Sequence, residues 1–102
     1  MLAFKTPEEV KFISDHFLPM KDNKAGTENL VVAMEELAEL QQQISKCLRG
    51  KADHQHLVEE IADALIVIDK VMLIEDVTES ELSDMLEQKK LKHRRYLETL
   101  SE

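Results

Sequence analysis

Four acids sit in the most apolar part of the chain, in two pairs of equal spacing. Glu36 and Glu39 belong to EELAE (35–39), and Glu60 and Asp63 to EEIAD (59–63). On a helix, residues at i and i+3 project from one face. Two such helices side by side would gather four carboxylates, an all-oxygen donor set that suits a hard cation such as Mg²⁺ or Mn²⁺ more than zinc. The surroundings sharpen this reading. Residues 57–74 are apolar at 13 of 18 positions, the pattern of a helix buried nearly all round. Glu36 has Val32 and Leu40 as its i−4 and i+4 neighbours, Glu60 shares a stripe with Ala64 and Val71, and Asp63 with Val67. An isolated ionised carboxylate there is costly and would sooner take up a proton. Lys46 and Lys70 are the only basic residues near enough in sequence to compensate four acids, and a divalent cation resolves the conflict.

Other candidate ligands are weaker. Carboxylate-bridged di-iron bundles pair their acids with a histidine as Glu-x-x-His, and neither acidic pair contains one. His56 and Glu59 form an i, i+3 pair near a helix start, for which a solvated surface histidine is the expected outcome. His16, His54 and His93 have no recognisable ligand partner.

The elements that must position the acids are four helices. Thr6 caps a first helix, with Pro7 at its first position and Glu8 and Glu9 in its first turn, running to about Phe17 and ended by Pro19. The stretch 21–27 (KDNKAGT) has loop chemistry. A second helix follows over 28–49, closed by Gly50. Asp53 caps a third that runs to Ile74, and Thr78 with Glu81 forms a capping box for a fourth, from Glu79 to Leu100. At 102 residues this is one all-α domain, 1–102, and short connections between long helices favour an antiparallel bundle. Such a small chain with so much apolar surface is expected to oligomerise.

Composition removes several functions. With 21 acids against 13 Lys and Arg, the net charge of −8 argues against a nucleic-acid polymer or an anionic membrane as partner. Cys47, the single cysteine, has no intrachain partner and is expected as a small core or interface residue of a reducing, cytoplasmic setting. The first residues carry acids and no apolar run, unlike a secretory signal, and the run ALIVI (64–68) stops at Asp69 and Lys70.

The two acidic motifs read together resemble the MazG-like all-α nucleoside triphosphate pyrophosphohydrolases, whose signature is Glu-Glu-x-x-Glu, a gap, then Glu-x-x-Asp. Here it is Glu35-Glu36-Leu37-Ala38-Glu39, twenty residues (40–59), then Glu60-Ile61-Ala62-Asp63. The resemblance spans about residues 28–98 and takes in a basic run, Lys89-Lys90-Leu91-Lys92-His93-Arg94-Arg95. It implies Mg²⁺-dependent cleavage between the α and β phosphates, giving a monophosphate and pyrophosphate. Glu36, Glu39, Glu60 and Asp63 would then be metal ligands, with Glu35 or Glu39 as base. Lys89, Lys92 and Arg95, which share a helical face, would hold substrate phosphate. The basic run also suits a solvated helix end favoured by the helix dipole. The resemblance further implies a homodimer or homotetramer, and the shortness of this chain suggests a pocket completed by a neighbouring subunit.

Base recognition has few candidates. Phe4, Phe12, Phe17 and Tyr96 are the aromatic platforms available, with Phe12 and Phe17 expected in the core, and Lys21, Asn23 and Lys24 stand in the loop before the second helix. Two other classes compete with the enzyme: a non-catalytic helical interaction module whose acids are structural, and a carboxylate-bridged iron or manganese bundle.

Overall fold

The computed structural model describes residues 1–20 and 23–101, and Lys21, a candidate for base or sugar contact, lies outside the described residues. Four α-helices carry the chain: α1 (Pro7–Phe17), α2 (Lys24–Leu48), α3 (His54–Ile74) and α4 (Glu79–Leu100), with a 3₁₀ turn (Leu18–Met20) joining the first two. The all-α architecture agrees with the sequence.

Each boundary has a chemical cause. Thr6 Oγ1 accepts from Glu9 N at 3.1 Å, while Glu9 Oε2 accepts from Lys5 N at 2.9 Å. Thr78 and Glu81 form the reciprocal capping box at α4. The end of α2 is a Schellman closure: Lys51 N donates to Lys46 O at 2.9 Å across Gly50, whose φ of 68° is open to glycine without strain. Asp76, at φ 56°, plays the same part after α3, where Val77 N donates to Met72 O at 2.9 Å.

α2 begins earlier than the sequence suggests, at Lys24 with Asn23 as its cap. The reason is Gly26, which reads as a loop residue but sits buried inside the first turn. A Cβ at this position would lie 2.4 Å from Met20 O, so the helix passes the 3₁₀ turn at a distance that only glycine permits. The Asn23 side chain completes the corner, accepting from Gly26 N at 3.2 Å and donating to Pro19 O at 2.6 Å.

α2 and α3 form the body of the protein, an antiparallel hairpin whose seam buries Ala33 of α2 and Ala64 and Val67 of α3. α1 packs on α3, burying Phe17, and the Lys70 ammonium stands 5.6 Å from the Phe17 ring centre. Phe12, expected in the core, is instead exposed and stacks on His16 one turn later, the centroids 4.2 Å apart.

The N-terminal segment is fastened by Asp69. This carboxylate is wholly buried and accepts from three successive backbone amides, Leu2 N at 2.8 Å, Ala3 N at 2.7 Å and Phe4 N at 3.0 Å. A buried charge at the end of an apolar run is thus compensated by hydrogen bonds. The Met1 amine pairs with Glu79 at the start of α4.

α4 contributes no buried residue. Met85, Leu86, Tyr96, Leu97 and Leu100 are exposed along it, and the radius of gyration, 16.5 Å, exceeds the roughly 13 Å of a compact chain of this length. Val58, Ile61 and Leu65 are likewise exposed on α3, so this helix is covered on one side only within a single copy, rather than nearly all round. No helix among the described residues is long and apolar enough to cross a membrane.

Candidate functional site

The i, i+3 spacing and the antiparallel hairpin together bring the acids to one place. Glu36, Glu60 and Asp63 each offer a carboxylate oxygen, and the three oxygens lie within 4.8 Å of one another. Glu36 and Glu60 are half-buried and Asp63 is exposed, so the group opens to solvent from Asp63 and is closed behind the two glutamates. Glu39, exposed on the same face of α2, stands beside Glu60.

Two atoms define the chemistry. Glu36 Oε2 and Glu60 Oε2 are sealed from solvent and receive no hydrogen bond. Among the described residues no amide, hydroxyl or ammonium reaches them; their neighbours are other carboxylates, Asp63 beside Glu36 and Glu39 beside Glu60, close enough to share a proton. Burial first, then the charges of Glu39, Asp63 and Glu60, raise the Glu36 pKa above the ordinary value of 4.5. Burial, followed by Glu39 and Asp63, does the same at Glu60, opposed by His56, which lowers it. Bound protons or a cation would relieve the repulsion within this cluster. Orphaned oxygens in an all-oxygen group fit a hard divalent ion.

The remaining candidates fall in different places. Glu35 is exposed on α2 and lies outside the three-carboxylate group. Lys89, Lys92 and Arg95 are exposed on α4. Lys90 pairs with Glu87 at 2.6 Å and Arg94 with Glu98 at 3.2 Å, both on α4, whereas Lys89, Lys92 and Arg95 join no ion pair among the described residues. The three chosen by spacing are therefore the ones left available to an anion, but α4 is not packed against the acids within one copy. His54, His56 and Cys47 are exposed. Asn23 and Lys24 are exposed at the start of α2, and Tyr96 is exposed on α4.

One residue in the seam went unread in the sequence. Gln43 is only 8% exposed, and its Oε1 is sealed without a partner. It follows Glu36 by seven residues and Glu39 by four, so it shares their face of α2. Its signal in the sequence is an amide on the same helical stripe as Glu36 and Glu39.

No family model, curated protein or solved structure matches this chain.

Proposed function

We propose that this chain is a Mg²⁺-dependent, MazG-like nucleoside triphosphate pyrophosphohydrolase, acting in the cytoplasm as a homodimer or homotetramer. The observation that carries the reading is the pair of sealed, partnerless oxygens of Glu36 and Glu60 within a three-carboxylate group, on helices whose motifs stand in the order of that family.

Glu36, Glu60 and Asp63 would hold the cation, with Glu39 joining from beside Glu60; Mn²⁺ would substitute for Mg²⁺. When bound, the ion would supply charge neutralisation for the triphosphate and Lewis acidity toward water. The protein's own groups then divide the remaining work. Glu39 is exposed and adjacent to the group, placing it to accept the proton of the attacking water, with Glu35 as the alternative base. The water oxygen bonds to the α phosphorus, the bond from that phosphorus to the α–β bridging oxygen breaks, and pyrophosphate leaves with the bridging oxygen. Lys89, Lys92 and Arg95, which join no ion pair among the described residues, would take the departing phosphates from α4 of the same or a neighbouring copy.

The apolar residues left bare on α4 support assembly, and they also favour the second reading, a helical interaction module. The two are separated by incubating the protein with Mg²⁺ and a panel of ribo- and deoxyribonucleoside triphosphates and resolving products by phosphorus NMR. Monophosphate plus pyrophosphate from the wild type, absent with Glu36→Gln and Asp63→Asn, supports the enzyme. No turnover and no cation binding supports the module. Iron retained on purification would instead indicate a carboxylate-bridged redox bundle.

A further inference from the structure

Gln43 is the one buried polar side chain on the α2 seam that neither the acid motifs nor the helix packing accounts for. Its place follows from the register of the hairpin. Glu36 lies against Asp63 and Glu39 against Glu60, so each residue on α2 faces one on α3 with a constant sum of numbers. One turn further toward the α2–α3 connection, the same register sets Gln43 opposite His56, whose charge is felt at Glu60. Side chains on a helix tilt toward its N-terminus, which leans Gln43 back onto the Glu39 and Glu60 pair.

A buried amide oxygen with no donor among the described residues is as anomalous as the two orphaned glutamate oxygens of the acid cluster. An apolar residue of similar volume would fill the position at no such cost. The polar group is explained if a donor arrives from outside the fold. Mg²⁺ and Mn²⁺ retain several waters when bound by carboxylates, and those waters are strong donors. We propose that Gln43 is an outer-sphere contact of the cation site: its amide oxygen accepts a hydrogen bond from a water carried by the ion that the carboxylates hold, extending the site by one helical turn.

This inference rests on the metal reading of the acid cluster, and the test separates the two. Mn²⁺ alone is titrated against the full chain, the free ion followed by electron paramagnetic resonance, for the wild type, Gln43→Met, Gln43→Asn and Glu36→Gln. Cation-free thermal melts are recorded in parallel. Loss of an outer-sphere contact weakens metal affinity by roughly tenfold to a hundredfold. Gln43→Met and the shortened amide Gln43→Asn are both expected to bind Mn²⁺ at least about tenfold more weakly. The cation-free melting temperature of Gln43→Met should be unchanged or higher, because an unsatisfied atom is removed. Wild-type affinity in a folded Gln43 variant, with binding lost in Glu36→Gln, overturns the role of Gln43 and leaves the metal centre standing. Equal binding by the wild type and Glu36→Gln, or none by either, overturns both. Should Gln43→Met fail to fold, Gln43→Asn carries the same comparison.

Discussion

Glu36 on α2 and Asp63 on α3 hold carboxylate oxygens within 4.8 Å of each other across the hairpin seam, and Glu36 Oε2 has no hydrogen-bond partner among the described residues. Two acids so placed oppose folding when both are charged. The pKa of Glu36 is raised, as is that of Glu60, so the folded state keeps these protons more firmly than the unfolded one. Their contribution to stability is then greatest below the ordinary value of 4.5 and declines as pH rises through the raised folded value. Without a cation, the melting temperature of the wild type relative to Glu36→Gln/Glu60→Gln should fall between that acid limit and neutrality. Added Mg²⁺ should raise the wild-type melting temperature at neutral pH and have little effect in acid, where protons occupy the site. A difference between the two proteins that is flat with pH would count against the carboxylate cluster as drawn.

Asp69→Asn should loosen the N-terminal segment. The carboxylate accepts from the amides of Leu2, Ala3 and Phe4 with full burial, and a neutral amide offers a single oxygen and weaker bonds. Loss of the charge-assisted part is expected to lower stability by on the order of 3 kcal/mol, read from the urea midpoint. Amide exchange should accelerate first at residues 2–4. Unchanged protection there would mean that the segment is held by its apolar contacts instead.

Gly26→Ala pits helix propensity against close approach. In an open helix interior the change gains about 1 kcal/mol. Here the new Cβ would meet Met20 O at 2.4 Å, a backbone atom that cannot step aside cheaply. Overpacking should win, with a net loss of about 1–3 kcal/mol in chemical denaturation. A stabilised variant would show that the 3₁₀ turn is free to move off α2.

The basic residues of α4 should affect substrate without affecting the cation. Lys89, Lys92 and Arg95 are exposed and join no ion pair among the described residues, so their combined replacement by glutamine should change stability by no more than about 0.5 kcal/mol per site. Under the proposed function kcat/KM should fall by at least about tenfold, in keeping with the loss of charge-assisted phosphate contacts, while Mn²⁺ affinity holds. Unaltered kinetics would reduce the run to a favourable charge distribution at the end of a helix.

The helices were largely legible because their ends carry strong local chemistry: Thr6 with Glu9, Asp53, Thr78 with Glu81, and Gly50. The start of α2 was not, since glycine inside a helix is explained only by what approaches it, and Met20 does so through the tertiary fold. Asp69 read as the end of an apolar run, yet Leu65 and Met72 at i−4 and i+3 mark a core position by the same test that exposed Glu36. Its partners, backbone amides of residues 2–4, leave no trace in residue types. The acid cluster was visible through spacing alone, whereas the division into buried Glu36 and Glu60 oxygens and the open Asp63 needed the hairpin. The apolar residues of α4 are not covered within one copy of the chain.

Under the proposed function these carboxylates direct water onto the α phosphorus of a nucleoside triphosphate. The most direct test is turnover of the triphosphate panel with Mg²⁺ in oxygen-18 water, with both products weighed by mass spectrometry. Attack at the α phosphorus puts one heavy oxygen in the nucleoside monophosphate and none in the pyrophosphate, with no product from Glu36→Gln. Label in pyrophosphate or orthophosphate, or no turnover of any triphosphate by a folded wild-type protein, would contradict it.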